Sequence, residues 1–189
     1  IKTSSRQILK ELDTLPLPAW DLVNINDYRN IWLTHNKYFS LNIATTRGCP
    51  FKCNWCAKPI YGNRYNSRSP EKVVEEIDFL ISNYQVEHIW FCDDIFGLKP
   101  GWIKRFSELV VSKNLQFKFK IQCRADLLLD DENIQHLANA GCDEIWIGAE
   151  SGSQKILDAM DKGTTVKQIY TATRLMQKHG IKPCLLTSL

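Results

Sequence analysis

The 189-residue sequence predicts an α/β fold, a parallel sheet of five strands curled into a partial (β/α) barrel. Three observations carry that prediction. Short apolar runs recur along the chain, and each neighbouring pair after the first third is separated by helix-period sequence. Hairpin signals between those runs are missing, so successive strands need crossovers and run parallel. Polar residues also stand where each run ends, at the rim on which the strand-to-helix loops of a parallel barrel open.

Residues 1–37 show no sustained period and read as a linker ahead of a core domain spanning 38–189. Ile8, Leu9 and Leu12 suit a turn or two of helix. Pro16 and Pro18 end it, because each lacks a backbone donor and constrains its predecessor. The stretch from Leu12 to Leu22 then reads as a Pro-rich connector lying along a surface.

The first strand is predicted over Tyr38 to Ala44. Ser69 and Pro70 make a helix start, since serine caps free N–H groups and proline suits the first helical position. Val73, Val74, Ile77, Leu80, Ile81 and Tyr84 follow at helical spacing, which buries one face. His88 to Cys92 is the second strand, ending at Asp93 and Asp94, and Trp102, Ile103, Phe106, Leu109 and Val110 mark the next helix. Phe117, Phe119 and Ile121 alternate with Lys118, Lys120 and Gln122, the pattern of a third strand with unlike faces, and it ends at Arg124. A helix starting near Asp130 buries Ile134, Leu137 and Ala138 and closes at Gly141. Glu144 to Ala149 is the fourth strand, running into Glu150 and Ser151. Helices through Ile156, Leu157 and Met160 and from about Val166 to Gly180 precede the fifth strand, Ile181 to Leu186. Right-handed crossovers curl such units into a TIM-type arc truncated on its C-terminal side.

A composition of 44% hydrophobic and 24% charged residues is ordinary for a globular domain. The net charge of +3 is spread along the chain, which makes no case for nucleic acid or an anionic membrane. No apolar run reaches the length of a membrane span and no signal-peptide pattern opens the chain, so the expected compartment is the cytoplasm. The first residue is Ile1 and the last segment stops inside an apparent strand, so the chain reads as a piece of something longer.

The chemistry centres on Thr46 to Cys56, where Cys49, Cys53 and Cys56 are spaced C-x3-C-x2-C just after the first strand. Several thiolates converging from one Gly/Pro-containing loop suit a soft metal or an iron–sulfur cluster. Structural zinc is usually closed by four protein ligands, whereas three leave a position open for chemistry. A zinc module with a fourth ligand from His88, His136 or another cysteine is the competing reading, although no second C-x2-C knuckle exists. Seven cysteines, an odd number, argue against a disulfide framework. Cys92, Cys123, Cys142 and Cys184 lie in or beside strands and read as small buried hydrophobes, with Cys92 and Cys123 near enough to the rim to meet a second cofactor.

With Trp55 before the last cysteine, the spacing C-x3-C-x-aromatic-C resembles the signature of the radical S-adenosylmethionine (SAM) enzymes. The resemblance implies that Cys49, Cys53 and Cys56 hold a 4Fe-4S cluster whose fourth iron is chelated by the amino and carboxylate groups of SAM. It also implies reductive cleavage of SAM to a 5'-deoxyadenosyl radical, a flavodoxin or ferredoxin as reductant, a small-molecule substrate, and Trp55 beside the adenine. The rim residues suit SAM, which needs an acceptor for its ammonium, a cation for its carboxylate and polar groups for its ribose.

In that family a Gly-Gly-Glu type motif meets the ammonium. Here the matching stretch is Phe91-Cys92-Asp93-Asp94-Ile95-Phe96, which leaves Asp93, Asp94 or backbone carbonyls as the acceptor. Arg124 is the candidate for the SAM carboxylate because a guanidinium can hold it through two hydrogen bonds. Glu150 and Ser151 resemble the ribose-contacting motif, although rim residues of these types also cap helices.

Tyr61 to Ser67 reads as a cover over the cluster or substrate opening, held by Arg47, Arg64 and Arg68. The stretch Leu15-Pro16-Leu17-Pro18-Ala19-Trp20-Asp21-Leu22 is similar to the linker of radical SAM proteins that carry a cobalamin-binding domain, the group of the anaerobic magnesium-protoporphyrin monomethyl ester cyclases. That likeness implies cobalamin bound outside these residues and favours methyl transfer or ring formation over methylthiolation of RNA.

Overall fold

A computed structural model of the chain describes residues 7–56 and 62–187. Ile89, Phe91, Phe119, Ile121, Ile145 and Ile147 recur at every second position and are all buried. A period of two places them on one face of a sheet, and that face becomes the core. The strands are Ser40–Ile43 (β1), Thr46–Arg47 (β2), Asn66–Ser67 (β3), His88–Phe91 (β4), Lys118–Cys123 (β5), Cys142–Glu150 (β6) and Lys182–Thr187 (β7).

β1, β4, β5, β6 and β7 form one sheet in that order, and every neighbouring pair is parallel. This is the predicted partial barrel, left open between β1 and β7 among the described residues. β6 is longer than the expected Glu144 to Ala149, because Cys142 pairs with Phe119 and Glu150 with Thr187.

The helices are Ile25–His35 (α1), Pro70–Tyr84 (α2), Trp102–Ser112 (α3), Asp131–Asn139 (α4), Gln154–Ala159 (α5) and Val166–Lys178 (α6). α2 starts as its sequence dictates: the Ser69 hydroxyl accepts the Lys72 N–H at 3.2 Å and Pro70 takes the first position. α6 opens with a reciprocal capping box between Thr165 and Gln168. Between the sheet and α3, the rings of Phe91, Phe96, Phe106 and Phe119 pack mostly edge to face, with centroids 4.8–6.3 Å apart. On the opposite, concave face, the Lys120 ammonium lies 3.9 Å from the Trp90 ring centroid and 4.8 Å from that of Trp146.

The structure differs from expectation in three further places. α1 falls inside the stretch read as a linker. Ile25, Tyr28, Ile31 and Trp32 recur at helical spacing, but of the helix's residues only Ile25 is buried, and Asn24 before it makes no side-chain cap. The Pro-rich stretch does lie along the surface, tied by buried Leu12 and by the Asp13 carboxylate, which accepts the Ser69 N–H at 2.9 Å. Ala138 is half-buried rather than fully buried. Among the cysteines outside the loop, Cys123 and Cys142 are core residues, but Cys184 is half-buried and Cys92 is exposed. Cys92 continues the Trp90 side of β4, opposite the buried Ile89 and Phe91.

Candidate active site

The loops after β1, β4, β5 and β6 open on one rim of the sheet, where a parallel barrel gathers its functional groups. The cysteine loop is fastened to that rim from below. The Asp93 carboxylate accepts the N–H groups of Thr45 at 2.7 Å and Thr46 at 2.9 Å, and the Thr45 hydroxyl as well. Burial pushes this carboxyl up to about 6, against the pull of those donors.

Asp93 is therefore turned into the protein, where it holds the start of the loop, and its expected role as ammonium acceptor is not what this geometry supports. Asp94 is exposed, and its charge reaches the Cys49 thiol.

β2 and β3 pair antiparallel and close the base of the loop, helped by Arg68 N–H donating to the Thr45 carbonyl at 2.8 Å. Gly48 has φ 89°, and a Cβ there would run into the Arg64 carbonyl oxygen, so only glycine suits the position. Residues 62–67 thus fold back against the cysteine loop, while Tyr61 of the expected cover lies outside the described residues. The Tyr65 hydroxyl accepts the Leu98 N–H at 3.1 Å, and Arg68 pairs with buried Glu76. At its far end the loop is tied to the C-terminal end of α5: Asn54 donates its N–H to the Met160 carbonyl at 3.1 Å and its amide to the Ala159 carbonyl at 2.7 Å.

Cys53 is buried, Cys49 is half-buried and Cys56 is exposed. Burial pushes the Cys49 thiol up, and the charges of Asp94, Cys53 and Cys56 push the same way against one backbone hydrogen bond from Phe51. The three thiols therefore share one electrostatic neighbourhood. Among the described residues no three His, Cys, Asp or Glu side chains close on a point that would hold a single ion. A 4Fe-4S cube makes a different demand, since each thiolate binds its own iron. Three thiols on one loop can give such a cluster one ligand on each of three irons.

Arg124, just past β5, is 5% exposed. Its Nε and Nη2 donate to Asp126 at 2.9 and 3.2 Å, Nη2 also donates to the Lys162 carbonyl at 2.6 Å, and Nη1 points to the Cys53 sulfur at 3.7 Å. Four of the five guanidinium N–H groups are engaged. The two-point grip on a SAM carboxylate expected of Arg124 is thereby taken up elsewhere.

Glu150 ends β6 with φ 60°, an uncommon conformation for a residue with a side chain. Ser151 N–H closes the turn on the Ala149 carbonyl at 2.7 Å. The Glu150 carboxylate meets the Lys162 ammonium at 2.8 Å, and both side chains are buried. Gly148 makes room for the pair, since a Cβ there would lie 2.8 Å from Lys162 Nζ and 2.9 Å from Glu150 Oε1. Lys162 Nζ is also 5.6 Å from the ring centroid of Trp55, which is half exposed. The Ser151 hydroxyl accepts the Ser153 N–H at 3.1 Å, so the structure shows it shaping the turn.

Lys162 and Asp126 were not among the residues singled out from the sequence. Asp161-Lys162-Gly163 looks like any solvated connection between helices, and only long-range packing buries its lysine. The one local clue was Gly148, a glycine inside a strand, which marks a close approach by another group.

A profile of the Radical SAM superfamily matches residues 43–189, from the end of β1 through the whole rim. The chain belongs to the radical SAM superfamily. An uncharacterized methyltransferase of Pyrococcus horikoshii is 28% identical over 177 residues, covering 93% of this chain and 37% of that protein. The anaerobic magnesium-protoporphyrin IX monomethyl ester cyclase of Rubrivivax gelatinosus is 28% identical over 183 residues, covering 96% of this chain and 32% of the cyclase. The chain thus spans about a third of the length of these two relatives. Among solved structures, the cobalamin-dependent radical SAM enzyme OxsB with aqua-cobalamin bound superposes with a TM-score of 0.72 at 27% identity, over 78% of this chain and 23% of OxsB. Membership makes this a radical SAM enzyme chain whose cofactors are a 4Fe-4S cluster and SAM. Among the described residues no helix is long and apolar enough to cross a membrane.

Proposed function

We propose that residues 38–189 form the radical-generating core of an enzyme that performs a cobalamin-dependent methyl transfer or ring closure on a small molecule, with residues 1–37 as the link to a cobalamin-binding module. In this reading Cys49, Cys53 and Cys56 hold the cluster, and a flavodoxin or ferredoxin supplies its electrons. When bound, the cluster would supply the one electron that reductive cleavage of SAM requires, and SAM would supply the hydrogen-abstracting group.

The observation that carries the reading is the fastening of the cysteine loop over the buried Lys162–Glu150 pair, with Trp55 beside Lys162. Lys162 offers the SAM carboxylate a cation, Glu150 offers the ribose hydroxyls an acceptor, and Trp55 offers the adenine a flat apolar face. Asp94 or the neighbouring carbonyls would accept from the ammonium. The likeness to the cyclase and to OxsB supports the cobalamin branch.

Anaerobic reconstitution with iron and sulfide tests the core reading. A brown protein with about four irons that forms 5'-deoxyadenosine from SAM under dithionite is expected, and Cys53→Ala abolishes both properties. A colourless chain holding one tight zinc, with no SAM cleavage, overturns it. For the cobalamin branch, the protein expressed with its native flanking sequence is expected to retain hydroxocobalamin through gel filtration, and passage without the corrin absorption overturns that branch alone.

A further inference from the structure

Arg124 has a place at this site that SAM binding does not explain. Its guanidinium is buried, its carbon lies 3.8 Å from the centroid of the Phe51 ring, and its Nη1 is directed at the Cys53 sulfur at 3.7 Å. Phe51 and Cys53 both belong to the cysteine loop, so the cation is clamped between that loop, the Lys162 carbonyl and Asp126. A guanidinium this deep is costly to bury and needs compensation. Asp126 offsets part of the charge, and one of the two remaining N–H groups finds a sulfur.

That contact changes character when Cys53 carries the negative charge of an iron ligand. The N–H···S interaction then becomes charge-assisted, and it strengthens further when an added electron raises the charge on the cluster sulfurs. Hydrogen bonds to the sulfurs and nearby charge are the means by which a protein sets the potential of such a cluster. A donor that stabilises the reduced form more than the oxidised form raises the potential.

We propose that Arg124 is a positioning residue that donates an N–H to the Cys53 thiolate and thereby raises the reduction potential of the cluster, with Asp126 and the Lys162 carbonyl holding the guanidinium in place. This rests on the radical SAM reading of the cysteine loop.

The test reads the reconstituted protein without SAM, by an EPR-monitored redox titration. Arg124→Gln is expected to load the same iron as wild type yet show a tenfold lower ratio of reduced to oxidised cluster at a fixed potential, which for a one-electron couple is about 59 mV. Arg124→Lys keeps the charge without the directed N–H and is expected to fall between the two. A loaded Arg124→Gln variant with the wild-type potential overturns the proposal.

Wild-type protein labelled with 15N-arginine gives a second reading that needs no variant. A nitrogen coupling to the reduced cluster in pulsed EPR is expected, and its absence overturns the proposal even if both variants fail to load iron. Failure of the wild type itself to hold about four irons overturns instead the reading on which the proposal rests.

Discussion

Asp93 shows how much of the site depends on one carboxylate that need not touch a cofactor. It accepts two buried backbone N–H groups and a hydroxyl at the hinge between β1 and the cysteine loop. Asp93→Ala leaves those N–H groups without an acceptor at about 1–3 kcal/mol each. The expected result is a clear loss in the urea midpoint together with poorer iron loading.

The titration of the same group has a definite sign. Its carboxyl stands at about 6 in the folded chain against about 3.9 when unfolded. Between those values the folded state holds a proton that the unfolded chain has released, so this group's contribution is full below about pH 4 and declines as pH rises through 6. About two units correspond to roughly 3 kcal/mol. Wild type is expected to lose about that much stability relative to Asp93→Asn between pH 4 and 7, measured by urea unfolding; parallel curves for the two proteins would contradict the assignment. Gly148→Ala tests the other side of the rim, where a methyl would press on the ends of Lys162 and Glu150. Weaker SAM binding by calorimetry with an unchanged iron content is expected.

At the scale of elements, what matters is how each loop is fixed at its two ends. The cysteine loop has the β2–β3 ladder at one end and Asn54 on the C-terminal end of α5 at the other. Its tight approach at Gly48 admits no side chain, and φ 89° strains any other residue. Gly48→Ala is expected to reduce reconstituted iron sharply while leaving the far-ultraviolet circular dichroism of the sheet and helices in place, and full iron loading would show that the turn is dispensable. The loop carrying Lys162 is held on its C-terminal side by the capping box that opens α6. Thr165→Ala is expected to cost about 1 kcal/mol in urea unfolding. The α2 start at Ser69 and Pro70 was legible in advance because capping is local chemistry, whereas α1 was not, because Asn24 before it makes no side-chain cap.

At the scale of the molecule, five parallel strands form an arc whose buried residues pack under α2, α3, α4 and α6. Stability is concentrated on that side, in the aromatic cluster under α3. Phe106→Ala removes its centre and is expected to cost about 3–5 kcal/mol, read as a large fall in Tm. An unchanged Tm would mean that the sheet does not depend on α3. Lys120 between Trp90 and Trp146 gives the concave side a cationic, aromatic floor below the rim.

By itself the sequence determined the five strands, their parallel order, the cysteine loop and the rim on which Asp93, Asp94, Arg124, Glu150 and Ser151 stand. Period, capping and thiol spacing are written between near neighbours. Only the tertiary structure decided what those side chains do. It turned Asp93 inward to Thr45 and Thr46, spread Arg124 over Asp126, Lys162 and Cys53, and brought an unremarked lysine under Glu150. Each of those pairings except Arg124 with Asp126 joins residues more than ten positions apart, and a hydrogen bond across such a distance depends on how the loops converge in space rather than on residue type.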